Sequence, residues 1–461
     1  MINLCETIIE FSEKVSPKSK YTFSKYLNVI PYKSNVILLS GRTGRIIVCT
    51  NNEWKLVKKY LRSPNNNEDF FYPFIETGMI VNKEFDEFAY LLNKTNENRK
   101  ELIERTYDGS RSGGIWLTLG NSCNLKCIYC YLEKNTSLMS FETINDALEQ
   151  FHDGFVKGKL KNAQIAIAGG EPLLYKDRVK HIFIKSKMLF KEDFNKVIFF
   201  IITNGTLIDD DLLKFIKTNK INVLFQISID GNEDIHNKRR MYADGKGTYN
   251  TIIKNLKRVA EYGNLIIIRI HADESNYSKM DKFFHDIKPI LNSKVTVDFI
   301  APVCVDKDVK YDSKQSFIKF DKMVESFNSF VDRNKLKLYN ETETDYNPLS
   351  STSYLGRNIS FCSGFVGQKF WLDPKGNWLA CPMEEWVIGD IKNGISYSKV
   401  KELNNMVKEN NKCLRCPRYF FCSKRVCHRV ILTGMEKHTP FINNKDFKYM
   451  AIKYAKSAGL V

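Results

Sequence analysis

From residue 113 to about 302 the chain alternates short apolar runs with amphipathic stretches, and no other feature restricts its fold as much. The apolar runs lie at 115–118, 164–168, 197–202, 223–229, 265–270 and 295–300. Helical patterns at 141–156, 209–217 and 249–262 fill gaps between them. Six such repeats predict an α/β fold with a parallel sheet, because parallel strands need crossover connections. In a curved parallel sheet the chemistry gathers at the strands' C-terminal ends. The short polar motifs of this segment all fall there, and no solenoid repeat interrupts it.

The flanks differ. Residues 1–105 predict a small α+β domain of winged-helix proportions. Residues 35–49 form a hairpin pattern around Gly41-Arg-Thr-Gly44, helices are expected at 52–62 and 84–92, and a short strand at 78–81. The GRTGR run lacks the Gly-Lys-Ser/Thr ending of a phosphate loop. Residues 93–105 are polar and read as a linker. The core then spans 106–305, a polar bridging region 306–361, and a cysteine-rich region 362–461 with a final helix at 446–457.

Seventy Lys and Arg against 53 Asp and Glu give a net charge of +17. The excess is scattered, with its densest patch only at 238–240, so it favours an acidic partner no more than it reflects a Lys- and Asn-rich background. No apolar run reaches the ~20 residues of a membrane span. The first residues carry acids where a secretion signal carries bases. A cytoplasmic location is expected, with no membrane partner. Disulfides are rare in that compartment, so the clustering of the twelve cysteines points to metal. Cys5 and Cys49 stand alone.

Cys123, Cys127 and Cys130 follow the first strand with C-x3-C-x2-C spacing. Three thiolates on one tight loop can hold three irons of a [4Fe–4S] cluster and leave the fourth open; three ordinary thiols, or a zinc site short of one ligand, are the other readings of spacing alone. After the second strand comes Gly169-Gly170-Glu171-Pro172, whose glycines permit close backbone approach to a ligand and whose Glu171 can accept from an ammonium group. Thr203-Asn204-Gly205 follows the third strand. The fourth ends in Ser228-Ile-Asp230-Gly231, with His236 and the pair Arg239-Arg240 beyond. Asp230 can accept from ribose hydroxyls, an arginine fork suits a carboxylate, and His236 reads as structural.

With these motifs in this order, residues 113–302 resemble the radical S-adenosylmethionine (radical SAM) superfamily. The resemblance implies a partial (β/α)6 barrel of TIM type. It implies that Cys123, Cys127 and Cys130 bind the cluster, and that SAM chelates the open iron through its amino and carboxylate groups. Tyr129 would lie against the adenine, and Gly169, Gly170 and Glu171 would hold the SAM amino group. Asn204 would stand on the rim of the site, Ser228 and Asp230 would belong to the nucleoside side, and Arg240 rather than Arg239 would take the carboxylate. No catalytic side chain beyond the cluster is assigned.

The later cysteines resemble the SPASM extension of that superfamily. Cys362 and Cys381 bracket Gly376, and Cys413, Cys416, Cys422 and Cys427 follow. The resemblance implies up to two auxiliary [4Fe–4S] clusters, one on Cys362, Cys381 and Cys427 and one on Cys413, Cys416 and Cys422. The last spacing is one residue longer than usual, and no cysteine follows Cys427. Even with Cys304, which is either a ligand or a buried thiol, one iron lacks a cysteine. His428, His438 or Asp446 could complete it, or it could stay open to substrate. A zinc ribbon is the other reading of these spacings.

SPASM-bearing members that modify ribosomally made peptides often carry a winged-helix domain that grips the precursor's leader as an added strand. Residues 1–105 resemble it, and Lys33, Arg42 and Arg45 on or beside the hairpin could meet leader acids. The resemblance therefore implies a peptide maturase fed by flavodoxin or ferredoxin. A 5′-deoxyadenosyl radical would abstract hydrogen, and a thioether or carbon–carbon crosslink would close. One rival is formylglycine formation on a sulfatase, where an Asp usually follows the G-x4-C cysteine; here Pro382 follows Cys381. A nucleic-acid-modifying enzyme is the other, but no RNA-binding module and no Arg-rich recognition helix is legible.

Overall fold

The computed structural model describes residues 20–63, 68–105, 113–130, 132–157, 160–300, 317–338, 369–381, 386–406, 415, 417 and 444–461. They fall into two compact units. One takes the described residues up to Glu101 and from Asn405 onward; the other takes those between Leu102 and Asn404.

In the first unit, β1 (Tyr21–Phe23) is followed by an antiparallel meander of β2 (Leu27–Tyr32), β3 (Asn35–Ser40) and β4 (Ile46–Thr50). The apolar run of β3 explains the meander's core: Ile37, Leu38 and Leu39 are wholly buried. Thr50 then caps α1 (Asn51–Leu61) through a capping box with Glu53, which fixes where the helix starts. Next come α2 (Glu68–Glu76), β5 (Ile80–Asn82), which pairs antiparallel with β1, and α3 (Glu87–Arg105). The expected linker at 93–105 is thus the second half of a helix. Its residues are polar, but most are good helix formers without Gly or Pro, and Lys94 pairs with Glu97 at 3.2 Å. One of the two hairpin arginines differs from expectation as well. Arg42 turns inward between the rings of Phe85 and Tyr90 and pairs with buried Glu87 at 3.4 Å, so it is not presented to a leader.

The second unit is built on β6 (Gly113–Thr118), α4 (Phe141–Lys157), β7 (Ala163–Ala168), α5 (Lys176–Phe190), β8 (Val197–Thr203), α6 (Asp210–Thr218), β9 (Val223–Ser228), α7 (Glu233–Arg239), α8 (Tyr249–Glu261), β10 (Leu265–His271), α9 (Asp281–Ile287), β11 (Val295–Ile300) and α10 (Phe317–Arg333). Strands β6 to β11 pair in parallel in chain order, as the sequence pattern predicts. Beyond β6 the sheet continues. β12 (Lys369–Leu372) pairs parallel with β6, and β13 (Asn377–Leu379), β14 (Val387–Asp390) and β15 (Gly394–Ile395) follow antiparallel. The region read from its cysteines as one domain, 362–461, is therefore divided: β12 to β15 extend the barrel's sheet, whereas α12 (Asn444–Ser457), which follows α11 (Tyr397–Met406), packs with the first unit. Among the described residues no helix is long and apolar enough to cross a membrane.

Candidate active site

The loop after β6 carries Cys123, Cys127 and Cys130 and is fixed on two sides. On one side the β7 end approaches so closely that a Cβ on Gly169 would lie 2.3 Å from the Gly120 carbonyl oxygen, and one on Gly170 2.3 Å from that of Ser122. The N–H groups of Gly170 and Glu171 donate to those two carbonyls at 2.9 Å. The glycine pair thus permits close contact with the cysteine loop's own backbone. On the other side Lys126 N–H donates to the Met241 carbonyl at 2.8 Å and Ile128 N–H to that of Arg239 at 3.0 Å.

Glu171 is completely buried and joins three rims. Its carboxylate accepts from Leu173 N–H at 3.0 Å, Thr203 Oγ1 at 2.7 Å and Asn204 N–H at 2.7 Å. Burial pushes its pKa up against the pull of those hydrogen bonds. Both oxygens are engaged within the protein, so the expected ammonium acceptor is first of all a bracket between the β7 and β8 ends. Asn204 continues the bracket: its Nδ2 donates to Asn124 Oδ1 at 2.9 Å and reaches Cys123 Sγ at 3.9 Å.

Asp230, also completely buried, sits just beyond β9. It accepts from Tyr129 Oη at 2.5 Å, Arg239 Nε at 3.1 Å and His271 N–H at 3.3 Å. Burial opposes its charge, yet His271 and the guanidinium groups of Arg240 and Arg239 hold it well below the ordinary carboxylate range. It therefore anchors Tyr129 and Arg239. Ser228 ends β9 one turn of chain earlier and is buried. His236 is buried too. Its Nδ1 accepts from Asp230 N–H at 3.2 Å and its Nε2 lies 2.8 Å from Thr248 Oγ1, which itself donates to the Arg240 carbonyl. Burial pushes its pKa down to about 3, so the imidazole is neutral and structural.

The two adjacent arginines separate cleanly. Arg239 is committed: besides Asp230, its Nη1 donates to Asp273 at 2.8 and 3.0 Å and to Ser275 Oγ at 2.6 Å. Arg240 donates through Nη1 to Tyr129 Oη at 2.6 Å, while its buried Nε has no partner among the described residues. The end of β10 supplies residues that sequence inspection overlooks. The His271 ring lies 5.0 Å from that of Tyr129, and Asn276 Nδ2 donates to the Asp230 and His271 carbonyls at 2.9 Å. The one sequence signal for them is a run of polar residues, HADESN, straight after a predicted strand.

Residues 117–286 match the family model described as the Radical SAM superfamily, and they form a radical SAM domain. Over a longer span the chain is 25% identical across 442 residues to the radical SAM cyclopropyl synthase TigE of Paramaledivibacter caminithermalis, covering 87% of this chain and 88% of that protein. It is 32% identical across 171 residues to a cysteine-type anaerobic sulfatase-maturating enzyme of Clostridium novyi, covering 36% of this chain and 45% of the other. In fold it resembles Streptococcus suis SuiB, solved bound to precursor peptide SuiA, with a TM-score of 0.52 at 16% identity over 91% of this chain and 98% of that one.

The family implies SAM and a [4Fe–4S] cluster, and the donor set fits both. Three thiols ride on one bracketed loop, and the unpartnered Nε of Arg240 lies where its charge acts on Cys127. Among the described residues no three His, Cys, Asp or Glu side chains converge on a single metal ion; in an iron–sulfur cube each thiolate takes a different iron. Burial pushes the thiols of Cys123 and Cys127 up, so bound iron has to draw off their protons. Of the proposed auxiliary ligands Cys381, buried after β13, and Asp446, on α12, are among the described residues. Cys304, Cys362, Cys413, Cys416, Cys422 and Cys427 lie outside them, as do His428 and His438.

Proposed function

We propose that this protein is a peptide-modifying radical SAM maturase that closes a thioether or carbon–carbon bond in a ribosomally made precursor. The observation that carries the reading is the convergence of the cysteine loop, Glu171, Tyr129 and Arg240 at the ends of parallel strands, inside a chain that matches TigE along nearly its whole length. When bound, the cluster and SAM supply reductive cleavage and a hydrogen-abstracting radical. Cys123, Cys127 and Cys130 hold the cluster. Arg240, steadied by Tyr129, takes the SAM carboxylate on its remaining donors. Glu171 and Asn204 keep the cysteine loop in register with the β7 and β8 ends, and His271 flanks Tyr129 on the side where the nucleoside would lie.

A fold neighbour solved with its precursor peptide supports a peptide substrate, delivered through its leader to residues 1–105, and the name of TigE, a cyclopropyl synthase, supports carbon–carbon bond formation. Two auxiliary clusters on the later cysteines would accept the electron released when the new bond forms. A flavodoxin or ferredoxin would donate the first electron. Likeness to sulfatase-maturating enzymes favours a second reading, formylglycine formation. Mass spectrometry of a precursor peptide after incubation with reduced, reconstituted enzyme and SAM separates the two. Loss of one hydrogen pair with a new crosslink supports the first reading, and conversion of a Cys or Ser to an aldehyde supports the second.

A further inference from the structure

Among the described residues helices pack on one face of the parallel sheet, and the other face stays part-exposed along β6, β8 and β11 although β9 is buried on both sides. Along β6, β8 and β11 buried residues alternate with half-buried ones. The buried set meets the helices: Phe199 packs on Phe183 of α5 with ring centroids 4.8 Å apart, and Phe299 on Phe284 of α9 at 6.4 Å. The opposite set, including Trp116, Ile198, Phe200, Ile202 and Thr296, stays partly exposed. Parallel strands ordinarily bury both faces, so a face left half open has room for a ligand.

One ion pair stands on that open face. Arg269 of β10 lies in register between Ser228 of β9 and Asp298 of β11, level with the strand ends that carry the site. Its Nη2 donates to Asp298 Oδ2 at 2.5 Å, and the two side chains keep 29% and 15% of their exposure. Among the described residues Nε and Nη1 have no partner. Neither residue takes part in the network around Asp230.

We propose that Arg269, oriented by Asp298, is a substrate-binding residue that receives a main-chain amide of the substrate peptide on the part-exposed face. This rests on the peptide-modifying reading. Nε is buried, but the N–H groups of Nη1 suit the amide's carbonyl, and the second oxygen of Asp298 suits its N–H. A carboxylate fits less well. The pair is neutral as a whole, and a further anion would stand beside Asp298 on a face otherwise lined by Ile198, Phe200 and Ile202. Burying an unpaired charge there costs far more than burying an amide. A main-chain subsite grips the peptide without reading its side chains.

The test uses the full chain, reconstituted and loaded with SAM, and a pool of random-sequence peptides displayed on their own mRNA. Arg269→Met should cut peptide recovery by about tenfold or more, as loss of a hydrogen bond to a charged group does, without shifting residue frequencies in the surviving pool. Arg269→Lys keeps the cross-strand charge pair but not the fork, and should lose recovery as well. The exchange R269D/D298R should regain thermal stability but not recovery. Full recovery in Arg269→Lys and in the exchange would reduce the pair to an ordinary cross-strand ion pair and overturn the subsite. So would a selective loss of Asp- and Glu-bearing peptides, or a weaker SAM affinity with unchanged recovery. A wild-type pool no richer than the blank would overturn capture of a free peptide, and this subsite with it, while the crosslink assay on a full precursor decides the peptide-modifying reading; a rich pool indifferent to Arg269 would overturn this subsite alone.

Discussion

Each unit buries an arginine against carboxylate, and the surroundings make the two pairs different. In the first unit Arg42 and Glu87 lie at a hairpin turn. Glu87 also accepts from Ser24 and from Lys25 N–H at 2.9 Å, and Phe85 and Tyr90 close over the guanidinium. In the barrel unit Arg239 lies between Asp230 and Asp273 at the ends of parallel strands, and Tyr129, His271 and Arg240 stand directly on it. A buried ion pair by itself is weak evidence of function. Its position decides: a pair at a turn staples the fold, whereas a pair at the C-terminal ends of a parallel sheet supports groups that face a ligand.

Removing either arginine should sharpen that contrast. Arg239→Met strands two buried carboxylates and should cost ~3–5 kcal/mol in denaturant unfolding, together with most SAM affinity. Arg42→Met should cost a similar amount of stability and leave SAM affinity as it was. If both variants bind SAM equally poorly, the distinction between staple and support is gone. Glycines offer a gentler version of the same comparison. Gly169 has φ +146° and no room for a Cβ, so Gly169→Ala should cost about 1–3 kcal/mol and weaken SAM binding by displacing the cysteine loop. Gly44→Ala at the hairpin, with φ +71°, should cost about 1 kcal/mol and leave SAM binding unaffected.

The pH dependence carries a definite sign. His236 has a folded pKa of about 3 against an ordinary 6.5, so folding favours its neutral form. That contribution is present above pH 6.5 and is lost as pH falls toward 3, because the unfolded chain then binds the extra proton. Stability of the barrel unit should therefore decline through that window, and His236→Asn should flatten the decline; an unchanged slope would remove His236 from the account. The smallest effect is expected at Thr50→Ala, which breaks the capping box of α1 and should cost ~1 kcal/mol without a change in SAM binding.

The parallel core was legible because burial of one strand face and helical cover impose their periods directly on the residues. All six strands appear within about two residues of their apolar runs, and α4, α6 and α8 nearly as closely. Residues 93–105 were not legible, since a polar helix and a polar linker have the same composition. The attachment of β12 to β6 was not legible either, because strand pairing between distant segments leaves no local trace. At the site, residue types were readable but directions were not. Gly169, Gly170, Glu171 and Asp230 sit in the neighbourhood their motifs suggest, and their contacts within the chain, which the motifs do not spell out, also hold neighbouring loops. His271, Asp273 and Asn276 escaped notice because the partners that give them meaning, Tyr129, Asp230 and Arg239, are distant in sequence.

The central claim is that Cys123, Cys127 and Cys130 hold the cluster that works on SAM. Its most direct test is formation of 5′-deoxyadenosine by anaerobically reconstituted, dithionite-reduced protein, measured for the wild type and for the variant with all three cysteines replaced by Ala. The account predicts the nucleoside from the wild type and none from the variant, with iron still bound by the variant through the later cysteines. Nucleoside formation by the triple variant would contradict it.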